Sequence, residues 1–131
     1  MDKKTFQEDE FFCRRMTKHH LLNNGEICYT LFLDQNNDMS VDRSAGRLVK
    51  DILIHQEYIY ITTRKSPIFD PYYGFAKIDY SIIKEDPNFN AYPSPSTINT
   101  YHSTIELIFE NKKQKRDLAL KLANNSFVVK K

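Results

Sequence analysis

Three polar side chains, His102, Thr104 and Glu106, alternate along one stretch of this chain. In an extended backbone alternate residues share a face, about 7 Å apart. An imidazole, a hydroxyl and a carboxylate in such a row suit acid–base work, and Glu106 and His102 are the catalytic candidates. As strand residues their Cα atoms stand about 13 Å apart, too far to ligate one metal ion directly. A second set is Arg14, Arg15, Ser40, Asp42 and Arg43. It has two readings. Arginine and aspartate form bidentate pairs inside folds, a structural role. The same arginines with Ser40 can instead hold an anion, a phosphate or an acidic group of a partner. No glycine-rich phosphate loop accompanies them. His19 and His20 are adjacent, and adjacent residues of a helical turn diverge, so no metal site is expected from them. The acidic loop 34–38 lacks the glycine and the closing glutamate of a calcium loop.

These candidates need elements to place them. Residues 101–109 alternate with period two, with Tyr101, Ser103, Ile105, Leu107 and Phe109 on the face opposite His102 and Glu106. That is a strand with one buried face. Residues 11–16 read as a first strand with one arginine on each face, Arg14 beside Phe12 and Met16, Arg15 beside Phe11 and Cys13. Residues 17–22 read as a short helical turn with Thr17 as cap, ended by Asn23-Asn24-Gly25. Residues 26–33 form an apolar run of strand length, and 39–43 a short alternating segment. Leu48, Val49, Ile52 and Leu53 make a helical stripe within 47–56. Residues 57–64, aromatic or β-branched throughout 58–63, predict a central strand. A loop around Ser66-Pro67 and Asp70-Pro71, a strand at 73–79 and a helical turn at 80–85 follow. Three prolines make 86–100 an irregular loop. The clearest helix is 112–124, with Leu118, Ala119, Leu122 and Ala123 as its stripe, and 127–129 predicts a last edge strand.

The whole reads as an α+β protein: a single twisted, largely antiparallel sheet with two main helices. A flexible N-terminal arm over 1–10 precedes one domain over 11–131. Formal charge is +2, from 19 basic and 17 acidic residues, too balanced to point to nucleic acid or a membrane. The basic side chains of 112–121 read as a solvated helix face and lack interleaved stacking aromatics. No run approaches the length of a membrane span, no apolar leader opens the chain, and the two cysteines do not make a disulfide framework. The expectation is a cytoplasmic protein with free thiols and no cofactor.

Arg14-Arg15-Met16, Met39-Ser40-Val41-Asp42-Arg43, Gly74-Phe75-Ala76, Asp86-Pro87 and His102-Ser103-Thr104-Ile105 occur in this order. In that order they resemble a group of small uncharacterised bacterial proteins. The group's pattern has Arg-Arg, a Leu-Ser-Val-Asp-like segment, a Gly-Val-Ala strand and a His-Ala-x-Ile-like strand before a C-terminal helix. The resemblance spans about residues 11–124. It implies a bacterial setting, and it implies no activity.

Three functional expectations follow. The first is a small accessory protein that acts by binding another protein, in a locus for defence or conflict. The second is a nucleotide-acting enzyme, since an early arginine, a middle serine and a late strand glutamate resemble ADP-ribosyltransferase-like folds. It requires Arg14 or Arg15, Ser40 and Glu106 to converge on one cleft. The third, which the charge balance disfavours, is a nucleic-acid-binding protein.

Overall fold

The computed structural model describes residues 6–34, 36–63 and 70–131. A single sheet is built outward from β1 (Phe11–Met16). β2 (Asp38–Arg43) pairs with it on one side and β3 (Gly74–Asp79) on the other. β5 (His102–Leu107) extends the sheet beyond β2, and β4 (Phe89–Pro93) closes that side. β6 (Ser126–Lys130) lies outside β3. Every pair is antiparallel, in the order β4-β5-β2-β1-β3-β6. Two long helices, α1 (Val49–Thr63) and α3 (Lys112–Asn124), complete an α+β fold with the short α2 (Tyr80–Lys84).

Register sorts the side chains. On one face Phe12, Met16, Met39, Val41, Ile78, Ile105 and Leu107 are buried with Leu118, Ala119 and Leu122 of α3. This is the main core. Asn111 caps α3, its side chain accepting the Gln114 N–H at 2.9 Å. On the opposite face Cys13 and Phe75 pack with Ile52 of α1. The sheet is therefore covered on both faces, by α3 together with Phe6, Leu31, Phe32 and Ile83 on one and by α1 on the other.

Three elements differ from the sequence expectation. Residues 57–63 continue α1 instead of forming a central strand; the remaining position of the expected 57–64 strand lies outside the described residues. Ile52, Gln56 and Ile59 are all buried at i, i+4, i+7, so one helical stripe runs straight through the expected break. Intrinsic strand preference is worth only about 1 kcal/mol and yields to that burial. Thr62 and Thr63 hydroxyls donate back to the carbonyls of Tyr58 and Ile59, the adjustment by which threonine fits a helix. The apolar run 26–33 forms no extended strand. It makes a bridge at Ile27 and a 3-10 helix at Tyr29–Phe32, because Ile27, Leu31 and Phe32 bury at helical spacing. The loop 86–100 contains β4, an edge strand whose proline sits at its last position, where a missing N–H is tolerated.

The second half of the expected flexible arm is pinned. Phe6 stacks edge-on against Phe12 at 4.9 Å, and Glu10 is 3% exposed beneath Arg43. Residues 1–5, Gln35 of the acidic loop and the expected Ser66-Pro67 loop lie outside the described residues. Among the described residues no helix is long and apolar enough to cross a membrane.

Candidate functional site

The face under α1 is where the polar residues gather. Gln56 enters this thin layer from the helix and is 1% exposed. Its Nε2 donates to the Cys13 carbonyl at 3.1 Å and to Asp42 Oδ2 at 3.0 Å. Its Oε1 accepts the Tyr72 hydroxyl at 2.6 Å. Asp42 Oδ1 accepts from Asn99 Nδ2 at 2.7 Å. A buried chain Tyr72–Gln56–Asp42–Asn99 thus ties the helix to β2 and β2 to the loop before β5. Both oxygens of the carboxylate are bonded to neutral side-chain amides.

Asn99 in turn shapes that loop. Its Oδ1 accepts the Tyr101 N–H at 3.1 Å, and its own N–H donates to Ser96 Oγ at 3.1 Å. Further along, Nδ1 of His102 meets Ser94 twice, the hydroxyl at 2.8 Å and the carbonyl at 3.0 Å. The Ser94 hydroxyl also contacts Thr104 Oγ1 at 2.7 Å. His102 is therefore held by its loop, and Thr104 helps to hold it.

Between helix, strands and loop lies a cleft of about 340 Å³, a size that fits a small ligand. Arg14, Arg15, Ser40, Asp42 and His102 line it, five of the residues singled out by sequence. His20 lines it too, from the 3-10 helix Lys18–His20 that Thr17 caps as expected. Arg14 is largely committed. Its Nε donates to the Leu31 carbonyl at 3.2 Å, Nη1 to the Ser40 carbonyl at 2.8 Å, and Nη2 reaches Asp34 at 3.5 Å. Burial draws its pKa down, against the opposing pull of Asp34. Arg15 is different. It is exposed, stands 5.4 Å from the Tyr60 ring centre, and makes no hydrogen bond or ion pair among the described residues. Cys13 supplies no nucleophile: burial, then the Asp42 carboxylate, pushes its thiol well above the usual range.

Two candidates stand apart from the cleft. Arg43 turns to the other face, where Nε and Nη2 grip the two Glu10 oxygens at 2.8 and 2.6 Å and the guanidinium lies 4.8 Å over Phe6. This is a bidentate structural pair. Glu106 shares the sheet face of Ser40 and His102, opposite Asp38 and Asn90, yet is not among the cleft residues. Arg14, Arg15, Ser40 and His102 come together; Glu106 does not join them. Gln56, Asn99, Tyr72 and Ser94 organise the site without having been singled out by sequence. Neutral amides and a lone serine carry no spacing signal, and their partners lie far along the chain. Among the described residues no group of three His, Cys, Asp or Glu side chains is placed to hold a metal ion.

The outer side of α1 carries another feature. Ile54, Tyr58 and Ile61, at i, i+4, i+7, are 68, 64 and 51% exposed. They face away from the stripe that meets the sheet, so the helix is apolar on both sides. On α3, by contrast, Lys115 donates to the Asp34 carbonyl and Lys121 to Asp86, which engages part of the basic face. No family model, no curated protein and no solved structure matches this chain.

Proposed function

We propose that this protein binds a small anionic molecule, a phosphate-bearing one of the nucleotide class, in the cleft under α1. One observation carries the reading: the cleft's spare capacity is cationic. Asp42 is the only carboxylate among the described lining residues, and both its oxygens are already bonded. Arg15 keeps its five donors open at the rim among the described residues, with Arg14 behind it. A guanidinium in that position favours planar or tetrahedral oxyanions over neutral ligands. The reading is of binding and not of group transfer, since Glu106 stands outside the cleft. Calorimetric titration with inorganic phosphate and AMP tests it. Arg15→Gln should weaken both at least tenfold, about 1.4 kcal/mol, while leaving the melting temperature unchanged because the side chain is exposed. Equal binding by the variant, or no anion bound by the wild type, overturns the reading.

A second reading, binding of another protein, is favoured by the outer stripe of α1. A helix apolar on two opposite sides is normally covered on both, and anchors at i, i+4, i+7 are how a helix engages a groove. The paired substitution Ile54→Asp, Tyr58→Asp should abolish capture of a specific partner without lowering stability. A partner retained by the double variant sinks this assignment of the contact.

A further inference from the structure

The cleft contains two imidazoles, and the fold fixes them in opposite proton arrangements. Nδ1 of His20 accepts the backbone N–H of Thr17 at 3.1 Å. An accepting nitrogen bears no proton, so this ring's proton is on Nε2. Burial, then the charge of Arg14, lowers the His20 pKa and keeps the ring neutral. His102 is the reverse. Its Nδ1 lies 3.0 Å from the Ser94 carbonyl, which can only accept. Nδ1 therefore carries the proton and shares it with the Ser94 hydroxyl at 2.8 Å. That hydroxyl also shares a hydrogen bond with Thr104 Oγ1 at 2.7 Å. In the neutral ring Nε2 of His102 then carries the lone pair.

Neither Nε2 has a protein partner among the described residues, and neither is sealed from solvent. The residues lining the cleft thus include His20 and Arg15 as donors and His102 as an acceptor. An anion that carries no hydroxyl, such as the dianion of propyl phosphate, satisfies the donors and leaves the acceptor idle. A molecule with a phosphate at one end and a hydroxyl at the other satisfies both.

Resting on the anion-binding reading, we infer that the cleft selects hydroxylated phosphate monoesters, sugar phosphates and nucleotides, over phosphate esters that lack a hydroxyl. A ligand hydroxyl donates to Nε2 of His102, and the phosphate accepts from His20 and Arg15. His102 is the specificity-determining residue, and Ser94 is the positioning residue that fixes its proton.

The test is calorimetric titration of the full chain at pH 8, where an imidazole is ordinarily neutral. The probes are inorganic phosphate, propyl phosphate, ribose 5-phosphate and AMP. The wild type should bind ribose 5-phosphate and AMP at least tenfold more tightly than propyl phosphate. His102→Asn keeps a donor for the Ser94 carbonyl and removes the lone pair, so the preference should fall to about one while propyl phosphate binds as before. His102→Gln, whose carbonyl can reach the Nε2 position, should restore part of the preference. A gain with AMP beyond ribose 5-phosphate marks a nucleotide, and equal binding marks a sugar phosphate; both support the inference. Propyl phosphate bound as tightly as ribose 5-phosphate overturns it while anion binding stands. A preference that survives in His102→Asn overturns it too, and the wild-type comparison stands even if that variant fails to fold. Binding of no probe at all removes the anion site itself, and the selection with it.

Discussion

Gln56 shows how a neutral side chain can organise a charged site. Its amide touches Asp42, the Cys13 carbonyl and Tyr72, and all of these lie inside the fold. Gln56→Leu keeps the bulk and removes every one of those bonds. The variant should lose roughly 3 kcal/mol, mostly from leaving a carboxylate and a hydroxyl underpaired. Denaturant melts showing a loss under about 1 kcal/mol would mean the network is held elsewhere. Asp42 and His102 stood out in the sequence because charge and imidazole are rare in apolar settings. Asn99, 57 positions from the Asp42 it bonds, did not. Residue type announces a titratable group, but nothing local announces the amide that will meet it. Asp42 was legible as a polar anchor, and its partners were not: amides took the place expected for an arginine.

Elements were readable where one period dominated. α3 and the strand that became β5 have a single clean repeat, and their buried residues Leu118, Leu122, Ile105 and Leu107 are the ones the repeat marks. Residues 57–63 have strand-forming side chains on a helical spacing, and burial of Gln56 and Ile59 decided the case. β4 was hidden by prolines, which an edge strand accepts at its margin. Gly74 provides a test of element packing. Its φ is +156°, and a Cβ there would stand 2.0 Å from the Val129 carbonyl oxygen on β6. The obstacle is backbone, so β6 must move. Gly74→Ala should cost roughly 1–3 kcal/mol. Hydrogen exchange should find β6 amides losing protection while those of β1 and β5 keep theirs. Uniform loss across the sheet would show that β6 is not a separable edge.

For the whole molecule, acid is the informative stress. Burial alone would raise the Glu10 carboxyl, but the bonds from Arg43, Gln7 and Ala45 outweigh it and hold it below its ordinary value. Asp86 follows the same pattern: burial raises it, and Lys121 and the Asn88 N–H more than compensate. A carboxyl depressed in the folded state contributes fully above its unfolded value and ceases to contribute as pH falls through the folded one. The melting temperature should therefore drop as pH decreases from about 4.5. Glu10→Gln should start lower at neutral pH, because Arg43 loses its partner, and then fall less steeply. Parallel curves for variant and wild type would remove Glu10 from the acid response.

The strand order also dictates a schedule. β1, β2 and β3 leave the ribosome first, yet the outer neighbour of β2 is β5 and that of β3 is β6. Asp38 waits for Glu106, and Gly74 for Lys130. Any pairing of β1, β2 and β3 before those late segments emerge leaves both flanks bare, and bare flanks recruit other chains. Ladders closed across such separations also form slowly. Crowding of nascent copies during that interval should lower the yield of native protein, and slowing initiation should raise it without any change in the sequence.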